Sequence, residues 1–508
     1  MPILLILLVT AACLPVPWPA PPLGIGPEGA AALTGLATGL AVLCPVGLSA
    51  WAARTLARDP TRRPTVVRRY ARFRRLFAFG NIGLTAALVT AGGWGWTVWH
   101  AARLALPGRS DAILCPGAEV LVPAPYFVLL FAGWSSYFFA ERALYRTSHR
   151  GAADPGGFWH FPGYLLFHAR QFAMLIGFPV GLFLAQQGLA RACPGLVRAD
   201  WFQAVSVAAG VAVFVFLPRA VKPVLGLQSL PGGPARDRLE ATARRLGVRC
   251  TDLLLWPTRG AVANAMVIGV VPWARYVIFT DRLLDGLDPE ELEAVFGHEA
   301  GHVAHQHIPF YAGFFALSAV TATAAVAAAS KYLTDHGLTV PPALAEWVAL
   351  PPVVLMAAYV FVVFGLLSRK CERQADVYGC RAASCGDPFC GGHTDDTDRP
   401  AGDRQLCRTG VRALVRALDH VDGLNGADHR PGAAVGVRAK LWGRVKAWQH
   451  GPVPDRIEFL LRLTEDPTLG DAHDRRVRAF RAALVGGLAT VLAACGSYVG
   501  WAELWKMM

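Results

Sequence analysis

The chain has 508 residues, of which 54% are hydrophobic and only 17% charged, and its mean hydropathy of +0.37 is too high for an ordinary soluble domain. Its net charge of +13 would suit a nucleic-acid surface only if the positive residues formed one patch. Instead Arg54, Arg58, Arg62, Arg63, Arg68, Arg69, Arg72, Arg74 and Arg75 lie between two apolar segments, and Arg142, Arg146 and Arg150 lie two segments later. That is the pattern of positively charged loops on the inner side of a membrane, and it excludes nucleic acid as a partner.

A helix needs about 20 apolar residues to cross a bilayer. Residues 2–20, 31–53, 76–99, 120–140, 171–189, 201–217, 310–329, 347–367 and 480–499 reach or approach that length, so eight or nine membrane helices are expected. The first is interrupted by prolines. Between Met1 and Leu5 there is no positive charge, which argues against a cleavable signal peptide. With the arginine loops on the cytoplasmic side, residues 101–119 and 190–200 lie outside, while 219–308 and 368–478 share the inside. The outer loops carry matching strings, Cys115-Pro116-Gly117 and Cys193-Pro194-Gly195. A disulfide between them and two unpaired thiols are both open readings.

Five regions follow: an amino-terminal membrane region (1–218), a first soluble part (219–308), a membrane hairpin (309–368), a second soluble part (369–478) and a final membrane helix (479–508). Pro231-Gly232-Gly233-Pro234 punctuates the start of the first soluble part. An amphipathic helix at 236–246, stopped by Gly247, is followed by strand-forming runs at 253–256, 261–271 and 276–280, which predict a small sheet. Asp288-Pro289-Glu290-Glu291 then offers a capping residue, proline at the first helical position and a carboxylate three residues after the cap. The helix begun there can run to His307. The second part opens as a helix, becomes rich in Gly, Asp and Cys between Cys380 and Arg404, and resumes helical patterns at 405–421 and 434–448.

The helix begun at Asp288 carries His298-Glu299-Ala300-Gly301-His302. Positions four apart share one helix face, so both imidazoles can reach one ion while Glu299 stands beside a water. A catalytic zinc site takes three protein ligands, and the third candidate is Glu372, with Asp376 one turn later to accept a proton from a ligand imidazole. His305 and His307 are offset from the 298/302 face and read as interfacial polar residues rather than extra ligands. Cys380, Cys385, Cys390 and His393 have separations near those of structural zinc sites, but they lack tight C-x-x-C hooks and also suit reduced loop cysteines. Trp51, Trp99, Trp201, Trp347 and Trp501 read as interfacial anchors, and His168 and Arg170 as side chains reaching back to the membrane surface.

In order along the chain stand Asn264-Ala265, Phe279-Thr280-Asp281-Arg282-Leu283-Leu284-Asp285, Asp288-Pro289-Glu290-Glu291-Leu292 and the His298–His302 motif. A two-helix hairpin, Glu372 with Ala375-Asp376, and His450-Gly451-Pro452 with Arg456-Ile457 complete the series. Over roughly residues 225–463 this series resembles the integral-membrane zinc peptidases that include the CAAX prenyl endopeptidases and the HtpX heat-shock proteases. The resemblance implies a mainly α, polytopic protein with a split gluzincin-like zinc-protease domain around a small β-sheet. It implies one zinc ion held by His298, His302 and Glu372, with Glu299 as the base. It further implies that Asn264 and Ala265 sit on an edge strand that pairs with substrate backbone, and that His450 and Arg456 position the substrate or stabilise an oxyanion. Gly451 stands where the family usually has proline. The expected protein is an endopeptidase of membrane-associated proteins, acting in quality control or processing. It would lie in the plasma (inner) membrane with its catalytic domain cytoplasmic. A non-proteolytic scaffold or signalling sensor is the alternative.

Overall fold

The computed structural model describes residues 24–105, 118–148, 157–197, 199–338, 350–383, 406–425 and 447–507, with isolated positions at 9, 18, 20, 21 and 341. Most of the first expected span, Cys115, Cys385, Cys390, His393 and most of the expected helix at 434–448 lie outside the described residues. Two compact units emerge: residues 1–209 with 341–353, and residues 210–340 with 354–508.

In the first unit, α1 (Pro27–Arg58), α2 (Arg63–Val89), α3 (Trp94–Ala105) and α4 (Ala124–Ser148) are followed by α5 (Phe161–Phe172), which runs through a wide turn at Ala173–Gly177 into α6 (Phe178–Ala192). Ala52 and Leu56 of α1, Val66 and Tyr70 of α2 and Tyr137 and Ala140 of α4 pack together. Next to them Glu141 accepts hydrogen bonds from Tyr70 Oη and Tyr164 Oη, each at 2.8 Å, and from Arg74 Nη1 at 2.5 Å. Both carboxylate oxygens are thereby satisfied, as a charge in an apolar region requires. His168 is held in the unit by its neighbours instead of reaching the surface: its ring stacks on Trp134 with centroids 5.7 Å apart.

The second unit opens within α7 (Asp200–Leu225), followed by β1 (Gln228–Ser229), α8 (Pro234–Arg245), β2 (Asp252–Trp256), β3 (Ala265–Ile268) and β4 (Tyr276–Thr280). The sheet order is β1-β2-β4-β3. β2 runs parallel to β4 with Leu254 opposite Ile278, and β3 runs antiparallel to β4 with Met266 opposite Ile278. β3 is thus an edge, and it is shorter than the apolar run at 261–271 suggested. α9 (Asp281–Gly286) leads to α10 (Pro289–Ala304), then α11 (His307–Asp335), and α12 (Leu350–Tyr359) passes through a wide turn at Val360–Phe364 into α13 (Gly365–Ala382). α14 (Arg408–Leu424), α15 (Val453–Glu465), α16 (Thr468–Val499) and the short α17 (Trp501–Met507) complete the unit.

α10 begins as expected, with Asp288 N–H donating to Glu291 Oε2 at 3.2 Å. It stops before His307, because Gln306 adopts the left-handed conformation (φ 52°) and lets the apolar α11 leave in a new direction. Leu292, Phe296 and Ala300 of α10 are buried with Phe279, Leu283 and Tyr378, and Ala294 with Val377, Leu414 and Leu460. Full burial of each large apolar side chain stabilises by about 1.5–3 kcal/mol, so α10 is clamped from two sides.

Among the described residues six helices are long and apolar enough to cross a membrane, and a seventh if the helices on either side of a 50° bend near residues 90–93 form one span. α4, 25 residues long, takes up residues 124–140 of the expected span at 120–140 and carries Arg146 in its last turn. The architecture is the expected mainly α protein with a small mixed sheet.

Candidate metal centre

The site forms where α10 crosses α13 at backbone contact. A Cβ on Gly297 would stand 2.7 Å from Ala382 Cβ, one on Gly301 would stand 3.0 Å from Ala375 Cα, and one on Gly379 would stand 3.0 Å from His298 N. Small residues on both helices therefore permit an approach that larger ones would block. Gly301, in the middle of the histidine motif, is required by this packing rather than by chemistry.

The crossing brings Glu372 to the two histidines. His298 Nε2 and His302 Nε2 are 3.3 Å apart, Glu372 Oε2 is 3.6 Å from His298 Nε2, and Glu372 Oε1 is 3.7 Å from His302 Nε2. Ligands about 2.0–2.1 Å from a tetrahedral zinc lie about 3.3–3.4 Å from one another. The three donors sit at nearly that spacing, and their two-imidazole, one-carboxylate chemistry is that of a catalytic zinc site. Among the described residues this is the one cluster of metal-binding side chains.

The surroundings orient the ligands. Asp376, fully buried, places Oδ1 2.9 Å from His298 Nδ1. Its Oδ2 accepts from Arg456 Nε at 2.8 Å, and Arg456 Nη1 lies 3.6 Å from Glu372 Oε2. Arg456 is 8% exposed. It therefore lies buried against both carboxylates. Burial would lower the His298 pKa, but the contact with Asp376 outweighs it and raises the pKa. Burial drives that of His302 down to about 4.

Glu299 projects beside the cluster and faces the sheet edge. Burial raises its pKa, an effect opposed by His298 and reinforced by Glu372. Asn264 precedes β3 and Ala265 opens it. Thr280 N–H donates to Asn264 O at 3.0 Å, and residues opposite each other in an antiparallel ladder alternate between bonded and unbonded pairs. Ala265 and Val267 therefore turn their backbone groups away from β4. Val267 N–H is found there, donating to Glu299 Oε2 at 2.9 Å. Glu299 thus meets the edge of β3 that faces away from β4.

His450 Nδ1 stands 2.8 Å from Glu372 Oε1, and its side chain is 70% exposed. The contact with Glu372 raises its pKa. Gly451 has φ +75°, a conformation closed to proline, whose ring holds φ near −65°. The glycine in place of the family's proline thus fits the backbone that carries His450.

Two residues in the site, Asn425 and Gln374, escaped the sequence reading, and a third, His307, was read differently. Asn425, at the end of α14, accepts from Ala263 N–H at 3.0 Å and donates to Ala263 O at 2.9 Å, pinning the approach to β3. No sequence signal marked it. His307 is fully buried, with Nδ1 2.9 Å from His302 Nδ1, so the interfacial reading of His307 is corrected. Gln374 places its Oε1 3.0 Å from His307 Nε2. His305 is partly buried, its ring edge-on to Tyr378. Cys380 is buried on α13.

Residues 237–388 match peptidase family M48. Over 144 residues the chain is 27% identical to a protease HtpX homolog of Persephonella marina, covering 28% of this chain and 48% of that protein. It is also 37% identical over 70 residues to a protease HtpX homolog of Methanocaldococcus jannaschii, covering 14% of this chain and 24% of that protein. The chain therefore spans half or less of the curated relatives it matches. The crystal structure of S. mikatae Ste24p aligns with 85% of this chain and 98% of its own, at a TM-score of 0.44 and 16% identity. The M48 match spans both the histidine motif and Glu372, so over these residues the chain is similar to the peptidases of that family, the HtpX homologs among its relatives.

Proposed function

We propose that the protein is a membrane-embedded, zinc-dependent endopeptidase that hydrolyses peptide bonds of membrane-associated proteins, in quality control or processing. The observation that carries this reading is the approach of His298, His302 and Glu372 to within 3.3–3.7 Å of one another, from helices on either side of a membrane hairpin. One zinc ion held there would polarise the scissile carbonyl and acidify the attacking water. Glu299, its Oε2 fixed by Val267 N–H, takes the proton from that water and passes it to the leaving nitrogen. An extended substrate lies along β3 beside Asn264 and Ala265, held by main-chain bonds that select conformation more than sequence. His450 faces the developing oxyanion, and Asp376 with Arg456 holds His298 and Glu372 in place. The arginine-rich loops support a cytoplasmic catalytic unit, in the plasma (inner) membrane on this reading.

The test uses the full chain purified in mild detergent. One zinc per chain and chelator-sensitive casein cleavage are expected. Glu299→Gln is expected to keep the zinc and lose about 10²–10⁴-fold in turnover, the usual contribution of a general base. Cleavage at the wild-type rate by that variant would remove Glu299 from the mechanism. Fragments missing from membranes of cells carrying Glu299→Gln would identify the substrates.

A further inference from the structure

His302 can bind a metal only through an unprotonated Nε2, so whatever holds the proton on its Nδ1 sets its competence as a ligand. For His298 the partner is direct, Asp376 at 2.9 Å. For His302 the partner is another imidazole, His307, with the two Nδ1 atoms 2.9 Å apart. Between two neutral rings one nitrogen donates and the other accepts, and the pair alone does not say which.

The chain of contacts beyond His307 decides the direction. His307 Nε2 lies 3.0 Å from Gln374 Oε1, and Gln374 Nε2 lies 3.0 Å from Asp474 Oδ1. An ionised carboxylate only accepts, so the Gln374 amide nitrogen faces Asp474 and its carbonyl oxygen faces His307. A carbonyl oxygen also only accepts, so His307 Nε2 carries the hydrogen and its Nδ1 is the acceptor. His302 Nδ1 therefore donates, and His302 Nε2 is left bare toward His298 and Glu372. Every bond runs one way, from ligand to carboxylate.

The backbone is arranged for this contact. In a continuous helix a residue five positions on points well away from the first, but the left-handed Gln306 breaks the helix and swings His307 back against His302. His307, Gln374 and Asp474 are 0%, 2% and 7% exposed, and Arg381 Nη1 lies 3.5 Å from Asp474 Oδ2.

We propose that His307, Gln374 and Asp474 form a buried positioning relay that fixes the tautomer and ring orientation of His302. The relay rests on the metallopeptidase reading of the site. It also assigns a purpose to α16: the last membrane helix supplies no ligand, yet its Asp474 anchors one. The metal ligands are thus held by two carboxylates, Asp376 directly and Asp474 through two intervening side chains.

The experiment is a zinc titration of the metal-free full chain in detergent against a chromogenic chelator. His307→Phe keeps the ring volume and removes both ring nitrogens. It is expected to lower zinc affinity by about 10–100-fold, the usual effect of losing a ligand's hydrogen-bond partner. His307→Gln, which restores an acceptor, is expected to recover most of the loss, a rescue that a purely space-filling role would not produce. Cobalt-loaded His307→Phe is expected to show an altered visible spectrum. If His307→Phe does not fold, the near-isosteric Gln374→Leu carries the same test, with about a tenfold loss expected. A folded His307→Phe that binds zinc within twofold of wild type, while His302→Ala abolishes binding, overturns the relay and leaves the metallopeptidase reading standing. A wild-type chain without stoichiometric, His302-dependent zinc overturns both.

Discussion

Removing Arg456 tests how the site tolerates its own charge. Asp376 and Glu372 are 0% and 4% exposed, and the guanidinium touches both, with Nε and Nη2 on Asp376 at 2.8 and 2.5 Å and Nη1 3.6 Å from Glu372. Arg456→Met fills similar space but deletes two hydrogen bonds and leaves Asp376 without its guanidinium partner. Breaking a buried pair from one side typically costs about 3–5 kcal/mol. At roughly 2–4 °C per kcal/mol for a domain of 150–250 residues, that is a fall in Tm of about 6–20 °C. Adding Asp376→Leu removes the stranded carboxylate, leaving chiefly His298 Nδ1 without its acceptor, at about 1–3 kcal/mol. The double variant is therefore expected to melt above the single one, although it binds zinc more weakly. Thermal unfolding of the detergent-purified, metal-free chain measures both. A single variant costing under about 1 kcal/mol, or a double variant less stable than the single, would refute the assignment of Arg456 as a brace.

The crossing of α10 and α13 makes Gly301→Val an overpacking change, expected to cost about 1–3 kcal/mol and to lower zinc stoichiometry by moving Glu372 away. Full metal loading with unchanged stability would contradict the close-contact account. Asn425→Ala frees the approach to β3 and is expected to raise KM for peptide substrates more than it lowers kcat, which steady-state kinetics would separate. The contact with Asp376 raises the His298 pKa in the metal-free protein, and a metal must displace any proton on that ring. Zinc affinity should therefore fall as pH drops through a midpoint above the ordinary histidine value, and Asp376→Asn should move that midpoint down. A pH titration of zinc binding in both proteins measures it.

Much of the centre was legible because its chemistry is local. His298, Glu299 and His302 lie within a single helix turn, and the Asp288–Glu291 cap announces that helix, so period and capping sufficed. Glu372 carried a weaker signal, its place just after the membrane hairpin, since a Glu and an Asp four residues apart are ordinary on any exposed helix. The sequence also showed a membrane protein, because apolar length and arginine placement are one-dimensional properties.

What the tertiary structure alone decided are the contacts that join distant segments. The resemblance gave Arg456 a role toward substrate or oxyanion, and folding adds its burial against Asp376, 80 residues earlier. His307 looked interfacial on an ideal helix, and one left-handed residue, Gln306, turns it onto His302. Asn425 and Asp474 carry no local signal at all: they reach Ala263 and Gln374 across 162 and 100 residues. Propensity and periodicity report a residue's relation to its own element, whereas a buried hydrogen bond depends on which element packs opposite, and small residues such as Gly297, Gly301 and Gly379 set that packing.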